Sequence, residues 1–354
     1  MTTAITGSGT SPTRRPRRTG TGARRSRRIG FLLLLLLLLV LAVLASIAVG
    51  AKAIPLGHVW DALWSPAATE DDLVVRTLRL PRTVLGILVG IALGVAGALM
   101  QGHTRNPLAE PGLLGVSAGS AFFVVLGIFA FGVTSLYGYV WFAFAGAFAA
   151  SVAVFLLGSA GRGGPTPVTL ALAGVAVSYL LRALSSAIVL SDSATLDSYR
   201  FWDVGALAGR DVAIVGQITP FLLVGLLLAF ANAPGLNLLA LGEDVARGLG
   251  QNVTVTRWTG LVAITLLTGA AVAACGPIAF LGLVVAHLAR FCTGPDYRWL
   301  LPAAGLAGAV LLLVADVVGR VVARPGELQV GIVLAFIGAP FFVALVRRRK
   351  LVRL

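Results

Sequence analysis

Apolar runs about one bilayer long, divided by short polar turns, recur along nearly the whole chain. A hydrocarbon core of about 30 Å takes roughly 20 helical residues to cross. Runs of that kind lie at 30–50, 80–101, 113–132, 137–158, 167–189, 212–231, 257–275, 277–293, 299–322 and 329–347. They predict an all-α, polytopic membrane protein of about ten transmembrane helices. Turn residues mark the joints at Asn106-Pro107, Pro111-Gly112, Gly161 to Pro165, Ala233-Pro234-Gly235 and Gly294-Pro295. In the second run Gly86, Gly90 and Gly94 recur every four residues, and Gly97 and Ala98 extend the stripe. That face is nearly bare backbone and reads as a helix-packing seam.

Composition supports the pattern and removes other classes. Apolar residues make up 58% of the 354 residues and charged residues 12%, with a mean hydropathy of +0.94. A soluble enzyme, a disordered chain and a nucleic-acid binder are excluded. The net charge of +14 is concentrated in flanks: eight arginines between Arg14 and Arg28, and five basic residues after Phe342. Segments 1–29 and 348–354 read as basic tails around a membrane domain at 30–347. Loop arginines collect on the cytoplasmic side, so both termini are expected inside, in a bacterial plasma membrane. The first run has a second reading. Ser26-Arg27-Arg28-Ile29-Gly30-Phe31-Leu32 resembles a twin-arginine export signal with a cleavage site near Ala51-Lys52-Ala53. Its length favours an uncleaved helix.

Catalytic chemistry is hard to place. Neither lysine sits in a GxxxxGK[ST] phosphate loop. His58, His103 and His287 stand apart, without metal-ligand spacing, and read as structural groups. Gly115-Val116-Ser117-Ala118-Gly119 has the letters of a nucleophile elbow but lies in an apolar run, not after a soluble-sheet strand. No catalytic or metal site is therefore expected. Cys275 and Cys292 fall at opposite ends of their helices, too far apart to pair. Apart from arginines at the very ends of the runs, the ionisable groups within them are few: Arg182, Asp316, His287 and Arg290. Arg182 and Asp316 are expected to pair structurally or to face a wet vestibule. An ion-coupled transporter would stack acidic groups near the midplane, and this pattern is missing. Residues 232–256 form the longest inner connection, with helix-length pieces Leu236–Leu241 and Asp244–Leu249 hinged at Gly242. Glu243 and Arg247 form an i,i+4 pair there.

Three stretches resemble the FecCD family, the permease subunits of ABC importers for ferric siderophores, haem and cobalamin. The first runs from Arg79-Leu80-Pro81-Arg82 through Gly97-Ala98-Leu99-Met100-Gln101-Gly102 to Asn106-Pro107-Leu108-Ala109-Glu110-Pro111-Gly112. The second is Leu238 to Gly250. The third runs from Gly276-Pro277-Ile278-Ala279-Phe280-Leu281-Gly282 through Asp316 and Arg320 to Glu327-Leu328 and Gly338-Ala339-Pro340. The resemblance implies a type II ABC importer permease fold, working with a second permease subunit, identical or paralogous. It also implies two ABC ATPase subunits that bind ATP and Mg, and an extracytoplasmic substrate-binding protein; no cofactor is expected in this chain. A ferric siderophore is the expected cargo, with haem and cobalamin as alternatives and an ion-coupled secondary transporter as the rival class. By this resemblance Leu241, Gly242, Glu243, Asp244, Ala246 and Arg247 couple to the ATPase. Arg79, Arg82 and Arg320 dock the binding protein from the outer mouth, against the alternative of lipid-headgroup contact. Pro165, Thr166 and Pro167 belong to an inner gate. A weak inverted similarity relates spans two and three to seven and eight: Arg82 and Arg257 open each copy, and Leu114-Gly115 and Leu281-Gly282 close it.

Overall fold

The computed structural model describes residues 21–50, 54–65, 67, 69–133, 135–160 and 167–347. Helix α1 (Thr21–Ala48) is followed by α2 (Leu56–Trp64) and α3 (Glu70–Leu73). A widened π turn at Val74–Arg79 then leads into α4 (Leu80–Thr104), and a 3-10 turn at Pro111–Leu114 precedes α5 (Val116–Phe131). The chain continues through α6 (Leu136–Ser159), α7 (Pro167–Ser191), α8 (Ser193–Asp203), α9 (Val212–Leu239) and α10 (Glu243–Gly248). It ends with α11 (Val253–Cys275), α12 (Leu281–Thr293), α13 (Tyr297–Val322) and α14 (Val330–Arg347). Among the described residues, eight helices are long and apolar enough to cross a membrane, and α5 and α12 are shorter apolar helices. Together they occupy the ten predicted spans. One boundary differs. The connection expected from residue 232 begins only after Leu239, because α9 runs straight through Pro220 and Pro234. Prolines are tolerated in membrane helices where neighbouring groups take over the freed backbone partners.

Helix α4 is the centre of the bundle and packs on α13, α12, α11 and α9. Its glycine stripe is the seam predicted from sequence. A Cβ on Gly94 would stand 2.2 Å from the Ala304 carbonyl oxygen, and one on Gly90 2.5 Å from the Ala309 Cα. On Gly97 it would fall 2.4 Å from the Gly282 oxygen. Backbones this close gain dispersion contacts that the equally apolar lipid tails cannot offset. Gly119 and Gly146 make the same approach between α5 and α6.

The two shorter helices both start inside the bundle. Helix α12 begins against the middle of α4, where Gly282 also meets the Pro111 ring that opens the turn before α5. The backbone reaches α12 through Gly276 (φ 77°) and Phe280 (φ 64°). A left-handed phenylalanine is strained, and two neighbours hold it. The Glu110 carboxylate accepts the Phe280 N–H at 2.5 Å, and Gly338 on α14 leaves room where a Cβ would lie 2.2 Å from that of Phe280. The segments that lead into α5 and α12 thus meet through Glu110 and Phe280.

Candidate functional sites

One end of the bundle carries an ion network built on Arg82. Its Nε and Nη2 donate to the Asp316 carboxylate at 3.0 and 2.8 Å, and its Nη1 donates to Glu327 at 2.7 Å. Arg320 lies 3.1 Å from Asp316 Oδ2, which it shares with Arg82 Nε, and donates to the carbonyls of Ser46 and Val49 at 2.9 Å each. Arg79 donates to the carbonyls of Ile47 and Ala48 at 2.6 and 2.8 Å. Two guanidiniums thus satisfy the last carbonyls of α1, which have no partner within the helix. The three arginines do gather at one end, as the motif implied. Their exposure is corrected: Arg79 is 6% and Arg320 2% exposed, against 1% for Asp316, while the Arg82 side chain retains 13%. Asp316 takes Arg82 and Arg320 as partners, not Arg182.

At the opposite end α10 projects from the connection between α9 and α11. Gly242 (φ 114°, ψ 149°) turns the chain in a conformation open mainly to glycine. Ala246 is buried and anchors the helix, with its N–H on the Gly242 carbonyl and its carbonyl accepting the Gln251 N–H. Glu243 is clamped by Arg257 and lies 3.5 Å from Arg247, so the expected i,i+4 pair is present and has a third member. Leu241, Val245 and Leu249 are 61%, 49% and 60% exposed, an apolar i,i+4 stripe beside the exposed Asp244 and Arg247. Val245 and Leu249 were missed from sequence, although that spacing was a usable signal. Leu236 belongs to α9 and is not part of a separate piece. Arg105 braces the base by donating to the Leu239 carbonyl at 2.7 Å.

The twin-arginine pair lies at this same end. Arg28 donates to the Thr293 carbonyl at 2.8 Å, lies 3.7 Å from Asp296 and stacks over Trp299. Arg27 reaches the Phe291 carbonyl. The gate residues Pro165 and Thr166 lie outside the described residues, and Pro167 opens α7. His103 is structural: its Nε2 is 3.0 Å from Asn232 Nδ2, in a space that Gly260 leaves open. Cys275 and Cys292 are both free thiols.

Two cavities open along α7. One, about 360 Å³, is bounded by the starts of α5 and α12 and reaches Glu110, Ser117, Tyr179, Arg182 and Thr268. The other, about 310 Å³, shares Ser117, Arg182 and Pro277 and extends to Tyr199 and Asp203 on α8. The Tyr199 hydroxyl donates to Asp203 at 2.8 Å, and burial together with that carboxylate pushes the phenol up, so it stays a donor.

Comparison with known proteins agrees with this architecture. The FecCD transport family model matches residues 37–348. The chain belongs to the FecCD transport family. It is 47% identical over 304 residues to the ferric enterobactin transport system permease protein FepD of Escherichia coli (strain K12), covering 86% of this chain and 91% of the relative. It is 44% identical to the iron(3+)-hydroxamate import system permease protein FhuB of Bacillus subtilis (strain 168), covering 86% and 79%. The hemin transport system permease protein HmuU of Yersinia pestis is 38% identical, with 86% and 91% covered. A solved metal-chelate type ABC transporter in an inward-facing conformation superposes with a TM-score of 0.79 at 31% identity, covering 91% of this chain and 99% of that one. Within this FecCD chain, the seam on α4, the segments that lead into α5 and α12 and the α10 knob coincide with the three stretches that carried the resemblance.

Proposed function

We propose that this FecCD chain is the membrane-spanning subunit of an ATP-driven importer of ferric chelates, a ferric siderophore before haem or cobalamin. A second permease subunit completes the path, and two ATPase subunits supply the energy. The observation that carries the reading is α10. An exposed apolar stripe on a short helix, braced at its base by Arg257 and Arg105, is a knob shaped for a separate protein's groove. The Arg28 end is the cytoplasmic one, because Arg25, Arg105, Arg247, Arg257, Arg298 and Arg347 collect there. The ATPases bind at that end and the substrate-binding protein at the Arg82 end. A rival ion-coupled mechanism needs a carboxylate free to load and release its ion. Asp316 is committed to two guanidiniums.

The test is uptake of radio-iron chelates by cells carrying or lacking the gene, with the energy source varied. Uptake should follow ATP and vanadate sensitivity and persist when a protonophore collapses the proton gradient. Uptake lost with the gradient while ATP is held constant would establish the secondary transporter instead.

A further inference from the structure

Helix α7 carries one charged side chain, Arg182, and that residue faces both cavities. Arg182 lies nine residues before the end of α7, about 13 Å along the axis at 1.5 Å per residue. A guanidinium at that depth is costly against hydrocarbon and belongs on a water-filled surface. The surrounding positions agree. Val175, Ser178, Tyr179, Ser185, Ser186 and Val189 line the same two cavities. At 100° per residue they fall with Arg182 in a sector of about 120°. The remainder of α7 presents Leu172, Leu180, Leu184 and Leu190, all exposed. One stripe of this otherwise lipid-like helix is therefore built for water.

Arg182 makes no ion pair among the described residues. The two carboxylates in the cavity walls are engaged elsewhere: Glu110 with the Phe280 N–H and Asp203 with the Tyr199 hydroxyl. A further polar group waits in the first cavity. The Thr268 hydroxyl is buried, with the residue 2% exposed, and has no hydrogen-bond partner. A cation without an ion pair and an unsatisfied hydroxyl lining one cavity, with Ser117 and Ser178 in its wall, suit a ligand rich in anionic oxygen.

Resting on the importer reading, we propose that Arg182 is the charge-selecting residue of the path. It draws metal chelates of net negative charge onto the α7 wall and gives no such help to neutral ones. Iron(III) held by three catecholates is a triple anion, whereas three hydroxamates leave it uncharged. Arg182 therefore favours the tris-catecholate class.

The local field can be read without transport. In the assembled complex, Ser186→Cys places a thiol one turn from Arg182. Its reaction rates are compared for a sulfonate-bearing and a trimethylammonium-bearing thiosulfonate, with the parent chain as blank. The anionic-to-cationic rate ratio should fall about tenfold when Arg182→Gln is added, and Arg182→Lys should restore it. A ratio unmoved by Arg182→Gln, or a thiol that neither reagent reaches, overturns the proposal. In transport, Arg182→Gln should lower kcat/KM for a ferric tris-catecholate about tenfold and leave a neutral ferric tris-hydroxamate near the parent value. Equal losses for both chelates count against charge selection. If the parent complex imports neither chelate, the importer reading fails, and the thiol ratio still decides the role of Arg182.

Discussion

Replacing Asp316 by Asn should destabilise the bundle by about 3 kcal/mol. The carboxylate is 1% exposed, accepts from both Nε and Nη2 of Arg82, and also meets Arg320. Removing one partner of a buried pair costs about 3–5 kcal/mol, because the remaining charge stays buried and uncompensated. Two features place Asp316 at the low end of that range. Arg82 keeps Glu327, and Arg320 keeps the Ser46 and Val49 carbonyls. Glu327 is the matched control. Its side chain is 35% exposed, so Glu327→Gln should cost no more than about 1 kcal/mol. Denaturation of the detergent-solubilised chain, followed by tryptophan fluorescence, gives both values. A cycle with Arg82→Gln should return a coupling of about 0.5–3 kcal/mol, as expected for groups in one network. An Asp316→Asn variant within about 1 kcal/mol of the parent would refute the reasoning, because it would mean that the network is wet or already screened.

Gly97→Ala should separate α4 from α12, since the new methyl meets the Gly282 backbone. Overpacking costs about 1–3 kcal/mol, and the same denaturation assay should show it, whereas Gly57→Ala, with nothing within 4 Å, should not. Gly242→Val meets no neighbour either, so its penalty is conformational, about 1–3 kcal/mol for a side chain at φ 114°. ATP hydrolysis should persist in that variant while chelate uptake is lost; normal uptake would make the segment a mere linker. The Thr195 hydroxyl and N–H hold the Asp192 carboxyl below the usual carboxylate range. Its support for α8 is therefore fully present above the unfolded pKa of about 4 and lost as pH falls through the lower folded value. Amide exchange at the start of α8 should accelerate only on strong acidification, and Asp192→Asn should abolish that dependence.

The helices were legible because their lengths are set by the bilayer and their seams by glycine spacing. Gly90, Gly94 and Gly97 could be read as a contact face before the partners Ala309, Ala304 and Gly282 were known. The break before α12 was placed at residue 276, but not the form of the turn that carries the chain to Leu281. Nothing local announces a left-handed phenylalanine, whose support comes from Glu110, 170 residues earlier, and from Gly338 on the last helix. Pro234 misled because proline is a strong breaker in water, while α9 is supported by its neighbours. For α10, the hinge at Gly242 and the charge pair were readable. The third member, Arg257, and the inward turn of Ala246 were not, since both depend on how α11 packs beside the knob.

The arginines at the Arg82 end show that a charge rule does not by itself reveal a side chain's nearest partner. Positive residues on the outer side are unusual, and the sequence explanation was a partner's carboxylates. The structure offers a nearer cause. Helix α1 ends at Ala48, and its last carbonyls lack partners within the helix in a buried place, so they call for donors from elsewhere. Arg79 and Arg320 are those donors, and Asp316 and Glu327 offset most of the positive charge that they and Arg82 introduce. Three guanidiniums and two carboxylates leave the network close to neutral, so it opposes a positive-inside bias far less than its arginines taken singly. It also narrows where a docking protein can act. Arg79 and Arg320 cannot be reached without undoing the end of α1, and the accessible ionic contact is the rim pair Arg82–Glu327. If a partner's carboxylate docks at this end, its accessible target is Arg82, and it reaches that guanidinium only by displacing Glu327.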